Sequence, residues 1–289
     1  MSQIVLGGAS FINLSSQELS RLLDTASHLG INRIDTAPLY VSSEIKIGSY
    51  LKKSKNQNWK ISTKVGLPNT SDFNPKGIIT QVNQSLNDLK VERIETLFVH
   101  SLSAHHLSYE NMQTLKNLKS VGKIESIGYS GDNQELRDAL SSFDFDFIMA
   151  TYNPLDIGNY ESIQKATNQS KVFLKRVLAN GIWDRSIGKS FKFQLRKMKN
   201  LDFQLQEHEY IGRLKCFTSK IQGDAPSYFN FAKLSFPMAL FVIGTRNIVH
   251  LEKLKRIEDE PSSIAPELIE ERIMEFMTLE LGRRWKVLT

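Results

Sequence analysis

The chain has 289 residues and a mass of 32.9 kDa, and 40% of its residues are apolar while 24% are charged. This composition is typical of a folded globular protein and excludes wholesale disorder. The apolar runs are all much shorter than the roughly 18 residues of a membrane-spanning helix, so we expect no membrane association. The single cysteine, Cys216, excludes an internal disulfide. With no basic stretch at the N-terminus to suggest a signal peptide, we expect a cytoplasmic protein.

The formal net charge of +6 is concentrated in one part of the chain. Residues 185–220 contain nine Lys or Arg and three Asp or Glu. The net charge of this segment, +6, equals the formal net charge of the whole chain. Two interpretations remain open. The patch could attract a phosphate-bearing molecule or a polyanion, or it could be a solvated helix face, because Phe191, Phe193 and Leu195 are interleaved with the charges. No nucleic-acid-binding signature accompanies the patch, so we expect no nucleic-acid partner.

Strand-like and helix-like segments alternate along almost the whole chain. A strand at 4–6 precedes a helix that begins after the capping Ser15 and ends at Gly30, and a strand at 32–36 precedes a helix at 43–53. A strand at 59–65 is followed by a helix from Pro75 to Leu89, and a strand at 94–99 by a helix at 111–121. The remaining pairs are 124–129 with 133–140, 145–152 with 160–166, 172–178 with a helix around 228–234, and 239–243 with 249–257.

Eight units of strand then helix predict a parallel sheet, because each strand returns through a helix on the outside. That number favours a single closed (β/α)8 TIM barrel of the α/β class. An open doubly wound sheet is the alternative, although no Gly-x-Gly-x-x-Gly follows the first strand. No Pro/Ser-rich linker divides the chain, so residues 1–289 are predicted to form one domain. We expect it to carry a long basic insertion at about 183–224 and a C-terminal helix at about 265–283.

Polar side chains follow three consecutive strands. Asp35 and Tyr40 follow the second strand, Lys64 ends the third, and His100 ends the fourth. Each has an ordinary structural interpretation: Asp35 as a cap, Lys64 as a lysine that reaches solvent, His100 as a hydrogen-bonded histidine. Their coincidence at one end of the predicted barrel favours a catalytic site, since buried Lys and Asp are rarely tolerated unless paired.

These four residues could together catalyse proton transfer to a carbonyl group. An Asp35–Lys64 ion pair would satisfy both charges, and the ammonium would favour the phenolate of Tyr40. Tyr40 could then exchange a proton with a carbonyl oxygen, while neutral His100 donates a hydrogen bond to the same oxygen. These residues do not form a plausible metal ligand set, so no metal is predicted. No Gly-x-Ser-x-Gly motif supports a serine hydrolase.

At these residues the sequence resembles the aldo-keto reductase superfamily. Residues 30–40, followed by Ser43-Glu44 and Gly48, are similar to the family signature G-I-x-x-x-D-T-A-x-x-Y-G-x-S-E-x-x-L-G. Further similar blocks are 61–66, 94–100, 122–130 and 243–247, all in family order, and the likeness is greatest to compact bacterial members. The resemblance implies that NADPH, or alternatively NADH, reduces a small-molecule aldehyde or ketone, for instance a sugar-related one. It assigns Asp35, Tyr40, Lys64 and His100 to catalysis, and the cofactor contacts to Ser130, Gly244, Thr245 and Arg246.

Several positions depart from the family pattern on the cofactor side. Gly131 replaces the usual Asn, Met149 a common Gln, and Lys175 the Tyr that stacks on the nicotinamide in many members. Lys253 and Leu254 align with a Glu-Asn pair that often reads adenine, and Val41 replaces the Gly after the catalytic tyrosine. Cofactor affinity is therefore expected to be reduced or built differently.

These departures keep two other functions open. The chain could be a reductase-like barrel with weakened cofactor binding that acts as a binding or regulatory protein. It could also be a lyase or isomerase that uses Lys64 as a base or Schiff-base amine. The sequence predicts neither the individual substrate nor the oligomeric state.

Overall fold

The computed structural model describes residues 2–54, 58–66, 70–103, 106–154, 156–179, 225–262 and 264–278. The basic insertion predicted at 183–224, and the part of the predicted C-terminal helix beyond residue 278, lie outside this range. No helix among the described residues is long and apolar enough to cross a membrane.

Eight parallel strands form a closed barrel in chain order, which confirms the predicted (β/α)8 architecture and excludes the open sheet. Closure is made by the first and last strands, where Val5 pairs with Val242. The strands are β1 Ile4–Gly7, β2 Arg33–Asp35, β3 Lys60–Val65, β4 Ile94–His100, β5 Ile124–Ser130, β6 Phe147–Thr151, β7 Lys171–Lys175 and β8 Leu240–Ile243.

Helices surround the barrel. Within the described residues they are α1 Ser16–His28, α2 Ser43–Lys53, α3 Pro75–Leu89, α4 Tyr109–Ser120, α5 Asn133–Ser142, α6 Tyr160–Ala166, α7 Ala225–Ser235, α8 Ile248–Asp259 and α9 Pro266–Thr278. Their starts follow local chemistry: Ser15 and Glu18 form a capping box at α1, and the Asn74 side chain caps α3 ahead of Pro75.

The strands β6 and β7 are shorter than predicted. β6 covers Phe147–Thr151 where 145–152 was expected, and β7 ends at Lys175 where the prediction ran to 178. Val177 is fully buried, so its apolar character reflects packing beyond the strand rather than strand structure. The chain leaves the extended conformation at Arg176, whose φ is +56°.

The barrel interior is a small apolar cluster of Val5, Phe98, Phe147, Met149 and Phe173. The ring centroids of Phe98 and Phe173 are 5.3 Å apart with an edge-to-face geometry. A Cβ at position 128 would lie 2.4 Å from the Phe98 ring, so only glycine leaves room for that ring. The interior is thus filled, so a ligand site in the barrel would lie at the mouth, where the carboxyl ends of the parallel strands meet.

Candidate active site

Lys64 and Asp35 form a buried ion pair at the mouth. The Lys64 Nζ lies 2.6 Å from Asp35 Oδ2, and the two side chains are 2% and 4% exposed. The same Nζ donates to the Thr36 carbonyl at 2.8 Å, while the Ser62 hydroxyl donates to Asp35 Oδ1 at 3.0 Å. Since each charge is paired and hydrogen-bonded, the pair can persist away from water.

Tyr40 lies beside this pair in a short 3-10 helix, Pro38–Tyr40. Two hydrogen bonds hold the segment that leads from β2 to this helix: Thr36 Oγ1 donates to Ser43 Oγ, which donates to the Gly8 carbonyl. The Lys64 Nζ lies over the Tyr40 ring, 5.3 Å from its centroid. The ammonium therefore faces the ring of Tyr40 while its hydrogen bonds go to Asp35 and Thr36.

His100 ends β4 and pairs in register with Ser130. Its Nδ1 is buried and has no hydrogen-bond partner in the described part of the chain. Burial, followed by the charges of Lys64 and Lys175, lowers the pKa of His100 to about 3. The imidazole is therefore neutral at physiological pH, and a neutral imidazole has one nitrogen that donates and one that accepts.

The structure thus brings all four predicted catalytic residues to one mouth. Within the described residues, no group of three or more His, Cys, Asp or Glu side chains could hold a metal ion.

The end of β5 carries the first predicted cofactor contact. Ser130 is 1% exposed and ends the strand, and Gly131 follows it. A Cβ at position 131 would lie 2.6 Å from the Tyr129 ring, which explains why a larger residue such as Asn does not fit here. Met149 is 1% exposed and belongs to the apolar interior, so it offers no polar group to a ligand.

The other predicted cofactor contacts lie before α8. Among the described residues, a Cβ added at Gly244 would have only the Ser10 Cβ within 4 Å, at 3.8 Å. The Thr245 hydroxyl accepts a hydrogen bond from the Asn247 N–H, the Asn247 side chain caps α8, and Arg246 is exposed. An exposed helix N-terminus beside a threonine and an arginine is suited to a phosphate group.

The two positions aligned with the adenine-reading pair differ in their surroundings. Lys253 is exposed on α8, whereas Leu254 is 4% exposed and packs in the hydrophobic core. Leu254 therefore stabilises the fold and presents nothing to a ligand.

The sequence interpretation missed one polar residue at the mouth, Asp132. Its carboxylate lies 3.0 Å from Lys175 Nζ and accepts bonds from the Thr151 N–H and the Asn159 side chain. Asp132 comes two residues after the end of β5, so it follows the same pattern of polar residues after strands as Asp35 and His100.

Comparisons with known proteins agree with this architecture and with the motifs. The sequence pattern of the Aldo/keto reductase family matches residues 3–208, well over half of the chain. D-arabinose 1-dehydrogenase of Saccharomyces cerevisiae is 29% identical over 144 residues, covering 45% of this chain and 43% of that one. D-threo-aldose 1-dehydrogenase of a Pseudomonas species is 27% identical over 173 residues, covering 49% and 53%. The chain therefore aligns with about half the length of these relatives.

A solved structure is similar over a larger share of the fold. A putative aldo-keto reductase from Pseudomonas aeruginosa is 26% identical, covers 89% of both chains and superposes with a TM-score of 0.67. The mouth of this barrel holds a buried Lys–Asp pair, a tyrosine and a neutral histidine. The chain belongs to the aldo/keto reductase family.

Proposed function

We propose that the protein reduces an aldehyde or ketone to an alcohol, with NADPH as the electron donor and NADH as the alternative. The observation that carries this proposal is the buried Lys64–Asp35 pair lying against Tyr40, with neutral His100 at the same mouth. Two relatives are named as aldose or arabinose dehydrogenases, which makes a sugar-related carbonyl compound a candidate substrate.

The proposed roles follow from charge and position. Tyr40 donates its phenolic proton to the carbonyl oxygen during reduction and regains it during oxidation. The Lys64 ammonium stabilises the negative charge that develops on Tyr40, and Asp35 neutralises and orients Lys64. His100 donates a hydrogen bond to the carbonyl oxygen, because its low pKa keeps the ring neutral and a neutral imidazole retains one N–H donor.

The residues present fit a nicotinamide dinucleotide. The exposed N-terminus of α8, with Thr245 and Arg246 before it, suits the phosphates, and Arg246 could pair with a 2′-phosphate. Ser130 and Gly244 would complete the contacts along the mouth. When bound, such a group supplies the hydride for carbonyl reduction.

Two alternatives compete with this proposal. A binding or regulatory barrel is favoured by Gly131 and Met149, which supply no amide near the proposed nicotinamide position. A lyase or isomerase that forms a Schiff base on Lys64 is disfavoured, because a Schiff base needs a neutral amine whereas the Lys64 ammonium donates to Asp35 and Thr36.

The test compares NADPH oxidation at 340 nm over a panel of aldehydes and ketones for the wild-type protein and Tyr40→Phe. We expect Tyr40→Phe to lower kcat by about a hundredfold or more while the NADPH Kd, measured by fluorescence titration, is retained. Tyr109→Phe is the matched control, since Tyr109 is 77% exposed at the start of α4. Absence of cofactor binding at high micromolar concentration, or full turnover by Tyr40→Phe, would contradict the proposal.

Two broader expectations accompany this function. We propose that residues 1–289 form one domain, supported by a barrel whose strands run from Ile4 to Ile243 without a second sheet among the described residues. We also propose a cytoplasmic location, supported by the single cysteine.

A further inference from the structure

A second group of charged residues lies at the ends of β5, β6 and β7. We call it the β5–β7 cluster, and its members are Asp132, Thr151, Lys175 and Arg176. Asp132 Oδ2 lies 3.0 Å from Lys175 Nζ, and Oδ1 accepts from the Thr151 N–H at 2.7 Å. Burial raises the pKa of Asp132, but the charge of Lys175 and the bond from the Thr151 N–H hold it below its usual value. Asp132 and Lys175 therefore form an ion pair at neutral pH.

Arg176 adds a second cation to this cluster. Its Nη1 donates to the Thr151 hydroxyl at 3.4 Å, and that hydroxyl donates in turn to Asp132 Oδ2 at 3.2 Å. In the described part of the chain this is the one hydrogen bond of the Arg176 guanidinium, which forms no ion pair there. Burial, followed by the charge of Asp132, raises the pKa of the neighbouring Asp156 to about 7, so Asp156 is only partly ionised at neutral pH. The cluster therefore keeps an excess of positive charge.

The cluster borders the proposed reacting groups. His100 pairs in register with Ser130, and Ser130 pairs with Met149 on β6, so these strand ends follow one another round the mouth. Thr151, two residues further along β6, pairs with Lys175 on β7. Burial is the largest cause of the lowered pKa of His100, and the charge of Lys175 contributes to it. Lys175 therefore acts electrostatically on the place where the carbonyl oxygen would be held.

Carbonyl reduction changes the charge of a nicotinamide ring. The reduced ring is neutral and becomes a cation when it transfers a hydride, with both electrons, to the carbonyl carbon, while Tyr40 supplies the proton to the carbonyl oxygen. Hydride transfer requires the ring to contact that carbon, so the ring would lie beside His100 and close to the β5–β7 cluster. A positive charge in excess at this place repels the oxidised ring much more strongly than the neutral reduced ring.

We propose that Lys175 and Arg176 make the mouth bind the reduced nicotinamide dinucleotide in preference to the oxidised one. The inference rests on the proposed function for the identity of the cofactor, and it deepens that function by giving the reaction a direction. The reduced donor is retained and the oxidised product is released readily, which suits a carbonyl reductase rather than an alcohol dehydrogenase. Asp132 acts as a positioning residue, because it holds Lys175 and offsets its charge.

The test measures the Kd of NADPH and of NADP⁺ by isothermal titration calorimetry without a carbonyl compound. The two ligands differ only in the oxidation state and charge of the nicotinamide ring, so contacts to the phosphates and the adenine cancel in the ratio of their Kd values. For the wild-type protein we expect NADP⁺ to bind about tenfold or more weakly than NADPH. This preference should fall as salt is added, because salt screens the excess charge.

Two substitutions should shift this ratio in opposite directions. Arg176→Gln should bring the Kd ratio close to one, because it removes the excess charge, whereas Arg176→Lys should retain most of the preference. Asp132→Asn should raise the ratio severalfold, because it leaves Lys175 without its counterion. A merely structural role would weaken both ligands and leave the ratio unchanged. Arg137→Gln is the matched control, since Arg137 contacts only Gln134 on the exposed face of α5 among the described residues.

Three results would overturn the inference while leaving the proposed function standing: a wild-type Kd ratio of one or less, an unchanged ratio in Arg176→Gln, or shifts of the same sign in Arg176→Gln and Asp132→Asn. If circular dichroism shows that Asp132→Asn does not fold, the comparison of Arg176→Gln with Arg176→Lys decides, and equal ratios in these two variants would overturn the inference. Failure of the proposed function gives a different result, in which neither the reduced nor the oxidised form of either dinucleotide binds at high micromolar concentration. The inference then fails with it.

Discussion

Lys64 Nζ lies 2.6 Å from Asp35 Oδ2 with both side chains removed from water. Each residue is the counterion that allows the other to be buried, and together they hold a positive charge against Tyr40. This mutual dependence makes the pair sensitive to the loss of one member and much less sensitive to the loss of both.

Asp35→Asn should lower the free energy of unfolding by about 3–5 kcal/mol, because it leaves the Lys64 charge buried without a counterion. The double variant Asp35→Leu/Lys64→Met should recover most of this loss, as measured by urea denaturation followed by circular dichroism. Glu125→Gln is the matched control, because the Glu125–Arg93 pair is exposed, and it should change stability by less than about 1 kcal/mol. A loss in Asp35→Asn as small as in the control would show that the pair is solvated.

His100 should remain neutral through the physiological range, since burial and two neighbouring lysines lower its pKa to about 3. In the unfolded chain the pKa of His100 is near 6.5, so on acidification the unfolded chain takes up the imidazole proton before the folded protein does. The contribution of His100 to the free energy of unfolding is therefore complete above about pH 6.5. It falls by roughly 1.4 kcal/mol per pH unit as the pH drops towards 3. The measurement is an NMR titration of the imidazole, assigned with His100→Gln. A titration midpoint between pH 6 and 7 would contradict the assigned environment.

Val41→Gly should stabilise the protein. Val41 follows Tyr40 with φ +49° and ψ −101°, a conformation that a β-branched residue strongly disfavours, and it is 78% exposed, so it contributes little packing. Relief of backbone strain in the folded state outweighs the greater conformational entropy of glycine in the unfolded chain. The free energy of unfolding should therefore rise by about 1 kcal/mol. Val121, 69% exposed at φ −86°, provides the control, and Val121→Gly should be destabilising. Equal effects of the two substitutions in thermal unfolding would argue against strain at Val41.

Gly131→Ala should be destabilising by about 1–3 kcal/mol, the usual result of overpacking. The new Cβ would lie 2.6 Å from the ring of Tyr129, whose hydroxyl is anchored to the Leu102 carbonyl at 2.6 Å and cannot move aside freely. Gly244→Ala should change the free energy of unfolding by less than about 0.5 kcal/mol, because among the described residues the added Cβ would meet only the Ser10 Cβ, at 3.8 Å. Comparable urea midpoints for the two alanine variants would contradict this prediction and show that the Tyr129 ring moves to make room for the added Cβ.

The sequence by itself determined the barrel and the order of its elements, because strand and helix periods are local properties of the chain. It also predicted that Asp35, Lys64 and His100 lie together at the strand ends, since polar residues beside apolar strands stand out against their neighbours, and it added Tyr40 from the turn after β2. It placed the end of β7 wrongly, as buried Val177 has the same apolar character inside or outside a strand.

Only the tertiary structure decided what these residues contact. Closure of the barrel brings Asp132, Thr151 and Lys175 together from three separate strand ends. The local sequence pattern around each residue does not predict the distances between them. The positive φ at Val41 and Arg176 is likewise imposed by surrounding contacts against local preference. Side-chain contacts and backbone strain depend on residues far apart in the chain, and for that reason they appear only once the barrel is closed.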